Sequence, residues 1–306
     1  MNVKEISMEF SEYQRLALSS DKTGMDVTRS LMVTLLGLAG ETGSLLSEYK
    51  KWLREGEAYK PFSDQVSEEL GDILWYLANL ATKLNLDLGE VAAENLAKIE
   101  DRWPSLNPAG PGLFGSSYGR YDTAYPSREQ LPSIMRVDFV ETTIEEKKRL
   151  QLRYNDKFIG DELTDNSHVD DGYRYHDVFH MACATFLGWS PVMRRILGCK
   201  RKSESRVDEV EDGARALVTE EGVSAVVFAH AFNYSMFKSS QSVNYELLRT
   251  IRMMVASFEV QNKPISAWQE TILTTFPVWR SLIECKGGTV IANAERRTIE
   301  FEGPTW

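Results

Sequence analysis

LMVTLLGLAGETGSLLSEYKKWLREG, residues Leu31–Gly56, is the stretch on which the fold class turns. Leu31, Leu35, Leu38, Leu45, Tyr49 and Trp52 recur at spacings of three, four or seven, which gathers them on one stripe of an α-helix and predicts a core-facing side. Inside the same helix Gly37, Gly40 and Gly43 surround Glu41. A glycine within a helix costs on the order of 1 kcal/mol relative to alanine, so either close packing or a ligand is expected to offset it.

Working outward, a second helix is expected from Ser63 to Lys83, with Ser63 as its N-cap and Val66, Leu70, Ile73, Leu74, Leu77 and Leu80 facing a core. The short NLDLGE connection folds a third helix, Val91 to Arg102, back on it, and Phe10 to Ser19 completes a four-helix arrangement. After Trp103 the segment PSLNPAGPGLFGSSYGRYDTAYPSREQLP lacks any helical period and reads as a linker. MRVDFVET and RLQLRYNDKFIGD then alternate apolar and polar residues, with Asn155-Asp156 as a hairpin turn. From Gly172 to Glu284 the chain is again helical in pattern. The expected architecture is mainly α: a helical bundle over 1–104, a Pro/Gly-rich linker over 105–135, and a second helical domain with a small β-hairpin over 136–306.

The 306 residues suffice for two domains with buried cores. A formal net charge of -10 argues against broad nucleic-acid binding, which depends on Lys and Arg contacts to phosphates. Three widely separated cysteines give neither a disulfide framework nor a zinc pattern, as expected of a cytoplasmic protein. With no basic start before an apolar segment and no run of about 18 apolar residues, neither an export signal nor a membrane span is expected.

The chemistry is carried by carboxylates. Glu41 and Glu48 are seven residues apart and so lie within about 20° of each other around a helix. Glu68, Glu69 and Asp72 share a face of the next helix. Glu41 and Asp72 stand in the most apolar segments of the chain, where an unpaired charge costs several kcal/mol on burial and a bound cation offsets that cost. An all-oxygen donor set suits Mg2+, with Mn2+ the alternative, and leaves positions for water and substrate phosphates.

GLAGETGSLLSEYKKW, EELGDILWYLANLATKLNLDL and ENLAKIEDRWP, in this order, resemble the MazG-type all-α nucleoside triphosphate pyrophosphohydrolases over residues 10–104. The resemblance implies hydrolysis of a nucleotide to its monophosphate and pyrophosphate, with Glu41, Glu69 and Asp72 as catalytic metal ligands in an ExxE and ExxD pattern. Here Ser44 replaces the second glutamate of the first motif, and Glu48, one turn further on, is the residue placed to compensate. Asn95, Lys98 and Arg102 match the family positions that bind the triphosphate. A homodimer or a dimer of dimers is implied as well.

A second cluster lies in DDGYRYHDVFHMACATFLGW, where His176 and His180 stand one turn apart with Asp177 between them. Two histidines at i and i+4 can clamp a metal from one helix face. Downstream, Asp208, Glu211 and Asp212 precede Glu220 and Glu221, and Glu211 and Asp212 are the acids expected to complete this second site. Between them, Arg194, Arg195, Lys200, Arg201, Lys202 and Arg206 form a basic run expected to be solvated. YHDVFHMA, LGWSPVMRR, CKRKS and VDEVEDGAR, in order, resemble the C-terminal domain attached to some bacterial MazG-like proteins, a resemblance that implies no mechanism. Three readings stand: a Mg2+-dependent nucleotide pyrophosphohydrolase, a catalytically weakened nucleotide-sensing module that regulates the second domain, and a metal-dependent hydrolase centred on the C-terminal cluster.

Overall fold

The computed structural model describes residues 8–22, 26–102, 119–145 and 147–304, and divides the chain into two compact units, 1–99 and 100–306. In the first, α2 (Val27–Glu55) and α3 (Phe62–Lys83) pack on each other, α1 (Phe10–Ser19) packs on α3, and α4 (Leu88–Arg102) follows. Asp26 starts α2 by accepting a hydrogen bond from the Arg29 N–H at 3.0 Å, and Gly56, in the left-handed region at φ 60°, ends it. The expected N-cap of α3 is displaced: Ser63 lies inside the first turn, after Phe62. The α3–α4 turn is clamped by Gln14 of α1, whose amide donates to Thr82 Oγ1 at 3.0 Å and to the Leu86 carbonyl at 2.9 Å. The Gln14 carbonyl oxygen accepts from the Leu88 N–H at 2.8 Å.

The α2 stripe is not a sealed core. Leu31, Leu38 and Leu45 are half-buried, whereas Leu35, Tyr49 and Trp52 are exposed, as are Leu70 and Leu77 of α3. The buried apolar side chains of this unit, among the described residues, are Ala17, Ala78 and Ala81. Among the described residues, Leu36, Leu46 and Leu53 along α2 are exposed, and so are Val91 and Leu96 of α4. Val27–Ala58 is also long and apolar enough by length and composition to cross a membrane, contrary to the expectation of no such stretch.

The second unit has a layered α/β construction. The expected hairpin is part of a five-stranded antiparallel sheet of order β3-β2-β1-β4-β5. Its strands are β1 (Ile134–Ile144), β2 (Lys147–Tyr154), β3 (Lys157–Leu163), β4 (Gly287–Asn293) and β5 (Thr298–Glu302). Asn155 and Asp156, at φ 49° and 61°, make the turn between β2 and β3, as their residue types favour. Met135, Val137 and Phe139 alternate inward on β1, joined by Leu150 and Leu152 of β2 and Val290 and Ala292 of β4.

The sheet packs on helices. These are α5 (Asp177–Ala182), which runs on into a π-helical turn at Cys183–Leu187, α6 (Pro191–Leu197), α7 (Ser205–Val210), α8 (Ala214–Asn233), α9 (Tyr245–Met254) and α10 (Ile265–Cys285). Between the layers lies one continuous core that includes Trp189, Phe228, Trp268, Phe276 and Trp279.

The linker expected over 105–135 is corrected in part: residues 119–133 are built into this unit, with Asp122 and Glu129 buried and Leu131 in the core. The remainder of that segment, to residue 118, lies outside the described residues. The basic run is also only partly solvated. Arg194 and Arg201 are buried, the first paired with Asp122 at 2.8 Å and the second with Asp212 at 2.7 Å.

Candidate functional site

Side chains one helix apart in sequence meet across the α2–α3 pair. One carboxylate oxygen from each of Glu41, Glu69 and Asp72 lies within 4.8 Å of the others. Glu41 projects from the middle of α2, and the i, i+3 spacing of Glu69 and Asp72 puts both on the α3 face that meets it. Partial desolvation first, and then the charges of Glu41 and Asp72, push the Glu69 carboxyl above its ordinary value. Three like charges held this close repel one another, and a divalent cation is the species that reverses the sign of that interaction. The donors are all hard carboxylate oxygens with one side open to solvent through the exposed Asp72, a set that fits an octahedral ion retaining waters.

The glycines around Glu41 have different reasons. A Cβ on Gly37 would stand 2.2 Å from the Tyr76 ring, so close helix packing explains that position. Nothing lies within 4 Å of a Cβ built on Gly40 or Gly43, so close packing does not explain those two positions.

Glu48, expected to compensate for Ser44, lies outside this group. Its Oε1 accepts from Lys51 Nζ at 2.5 Å, and its Oε2 accepts from the Tyr59 hydroxyl. Lys51, and then Tyr59, hold the Glu48 carboxyl below its ordinary value. The pattern favours the ionised carboxylate but spends both oxygens on protein donors, one beside it on α2 and one in the turn after the helix. Ser44 is half-buried one turn beyond Glu41. Glu68 accepts from Gln65 at 3.2 Å on an exposed face. Asn95 and Lys98 are exposed on α4, and the Arg102 side chain lies outside the described residues. Tyr13 of α1 had no place in the sequence reading; burial, and then the Asp72 charge, raise its hydroxyl above the ordinary value. Only the docking of α1 on α3 brings it near.

In the second unit His176 and His180 do converge with a carboxylate, but it is Glu221. His176 Nε2 and His180 Nε2 lie 3.5 and 3.4 Å from Glu221 Oε2. Asp177 is buried beside them, its Oδ1 3.7 Å from His176 Nε2, and burial pushes its carboxyl up. Glu211 and Asp212 belong elsewhere. Glu211 accepts from the Glu259 N–H at 3.1 Å, and Asp212 forms an ion pair with Arg201 and lies 3.6 Å from Arg194. The correction has a geometric cause: Gly213 separates α7 from α8, so the two acids before it do not follow the helix that carries Glu220 and Glu221 past α5.

With this geometry in view, the comparisons with known proteins fall on the same two units. The family described as the MazG nucleotide pyrophosphohydrolase domain matches residues 29–107, and the MazG C-terminal domain matches residues 116–305. Gene 37 protein of Mycobacterium phage L5 is 37% identical over 79 residues, which cover 25% of this chain and 69% of that protein. No solved structure matches.

Proposed function

The chain belongs to the MazG family, and from that premise we propose that its N-terminal unit hydrolyses a nucleoside triphosphate, or a related nucleotide, to the monophosphate and pyrophosphate. The chemistry of the family is nucleotide pyrophosphohydrolysis, generally dependent on a divalent metal. The observation that carries the reading is the convergence of Glu41, Glu69 and Asp72 from two helices.

In this proposal these three carboxylates hold Mg2+, or Mn2+ as the alternative, and Ser44 adds a neutral hydroxyl or holds a water. The ion supplies Lewis acidity, lowering the pKa of a bound water and offsetting the charge on phosphate oxygens. The chain does the rest by position. Glu41, Glu69 and Asp72 would hold the cation between α2 and α3, and Asn95 and Lys98 of α4 would bind and orient the phosphates.

The test is release of pyrophosphate across dNTPs, NTPs, modified nucleotides and guanosine tetraphosphate, with Glu69→Gln and Asp72→Asn beside the wild type. Both substitutions are expected to abolish metal-dependent release and leave the helical circular dichroism intact. Undiminished turnover in the double mutant sinks the assignment.

A second reading has its own support. Ser44 brings no charge and Glu48 is engaged by Lys51 and Tyr59, so three carboxylates stand where the family pattern has four. This favours a nucleotide-sensing module with weakened catalysis, for which the same panel would show tight nucleotide binding without products.

We also propose that a second copy of the chain covers α2. Leu36, Leu46 and Leu53 are exposed along it, and Val91 and Leu96 are exposed on α4, so the four-helix arrangement is left unclosed within one chain. The apolar length of Val27–Ala58 is explained in the same way. Glu41 lies within it and faces two further carboxylates, a combination hydrocarbon would not accommodate.

A further inference from the structure

The side chains of α5 and α8 form a constellation with no part in the pyrophosphohydrolase reading. His176 and His180 are each fixed through Nδ1. For His176 the partner is the Tyr173 carbonyl oxygen at 2.9 Å, an atom that only accepts, so the proton sits on Nδ1 and Nε2 keeps its lone pair. The Tyr173 ring stacks on the His176 imidazole at 4.5 Å with an interplanar angle of 1° and sets its plane.

For His180 the partner is Glu220 Oε1, also at 2.9 Å. Glu220 is wholly buried and has no freedom to turn. Its Oε1 also accepts from Ser190 Oγ at 2.7 Å, and its Oε2 accepts from the Val192 N–H at 2.8 Å at the start of α6. Glu220 therefore acts as a rigid acceptor behind His180.

Both Nε2 atoms point to one place, where Glu221 Oε2 completes a group of three ligand atoms within 4.8 Å. His180 is 0% exposed, and its Nε2 has no hydrogen-bond partner. A buried nitrogen left without a partner is uncommon. A proton, drawn by the Glu220 and Glu221 carboxylates on either side of the ring, is one occupant of that lone pair. A metal cation between two imidazoles and a carboxylate meets the same electrostatic demand and satisfies both Nε2 atoms at once.

We propose that His176, His180 and Glu221 form a binding site for a divalent transition-metal ion, with Glu220 as the residue that positions His180. The mixed nitrogen and oxygen donor set suits Zn2+, Fe2+, Co2+ or Mn2+, unlike the all-oxygen set of the first unit. A carboxylate behind a metal-binding imidazole fixes its tautomer and raises its basicity. Three protein ligands would leave coordination positions open, and two of them, His176 and Glu221, line a cleft of about 430 Å3 together with Asp161, Asp177 and Arg195. The site is thus built like a working metal centre and unlike a closed structural one.

The test is a Co2+ titration of the full-length, chelator-stripped protein carrying Glu69→Gln and Asp72→Asn, which removes the competing carboxylates of the first unit. One equivalent of Co2+ is expected to bind with the visible d–d absorption of an imidazole-coordinated ion. Adding Glu221→Gln or His176→Gln should weaken binding at least tenfold. The Glu221 side chain is 47% exposed, so its isosteric replacement leaves the fold intact and decides the question even if the histidine variant does not fold. Absence of d–d absorption at millimolar Co2+, or affinity unchanged by Glu221→Gln, overturns the proposal.

Discussion

Glu48 and Ser44 set how many charges the first site can bring to a cation. With Lys51 and Tyr59 on its two oxygens, Glu48 joins the end of α2 to the turn that follows and adds only a nearby negative charge to the trio. Glu48→Gln is therefore expected to lower pyrophosphate release by less than about tenfold, measured beside Glu69→Gln, for which release is lost; a single interaction near the site is worth only a factor of this order. Ser44→Glu, which restores the family motif at a half-buried position facing the same way as Glu41, is the complementary substitution. If the site is weakened by a missing charge, this change raises turnover at limiting Mg2+.

Within elements, the helix glycines divide by what surrounds them. Gly40→Ala meets open space and gains the helix propensity of alanine, about 1 kcal/mol, whereas Gly37→Ala must displace the Tyr76 ring and loses about 1–3 kcal/mol to overpacking. Urea denaturation of the two variants is expected to move the midpoint in opposite directions.

The segment before β1 carries a larger stake. Burial alone would raise the Asp122 carboxyl. The Arg120 guanidinium, the Leu131 N–H at 2.7 Å and Arg194 instead hold it below its ordinary 3.8. A depressed carboxylate contributes stability that is complete above pH 3.8 and is lost as the pH falls through its lower folded-state value. Asp122→Asn replaces one of the two carboxylates beside Arg194 by a neutral amide, with a cost on the order of 1–3 kcal/mol at pH 7. Thermal melts should show that this cost shrinks below pH 3.8, where the wild type loses the same interaction.

Across the whole molecule, the two units are built by different rules. The second encloses its own core between sheet and helices. Among the described residues of the first, the buried apolar side chains are alanines, and Leu36, Leu46 and Leu53 of α2 are exposed. A second copy on that face predicts a mass in light scattering of at least twice the chain mass, and Leu46→Glu should shift it toward the monomer. A wild-type monomer at micromolar concentration argues against the closed bundle.

Much of the plan is legible from the amino acids in order. Apolar residues at spacings of three and four fix the helices because helical geometry is local, whereas the cap expected at Ser63 falls inside α3. Asn155-Asp156 fixes a turn through the left-handed conformations those side chains tolerate. Glu69 and Asp72 were readable together because their i, i+3 spacing puts them on one face of α3, and it was the resemblance to the family motifs that joined Glu41 to them.

What only the tertiary structure decided depends on partners distant in the chain. The pairing of β4 with β1 joins residues about 150 positions apart, and alternation in GGTVIAN does not say which strand it meets. Glu221 rather than Glu211 faces His176 and His180, because the break at Gly213 and the packing of α8 select among acids that look alike along the chain. Glu48 is engaged by a lysine one turn away and a tyrosine beyond the end of the helix. Spacing assigns a side chain to a face; which atom then satisfies it is settled by three-dimensional competition among neighbours, since hydrogen bonds and ion pairs act over a few ångströms and not along the sequence.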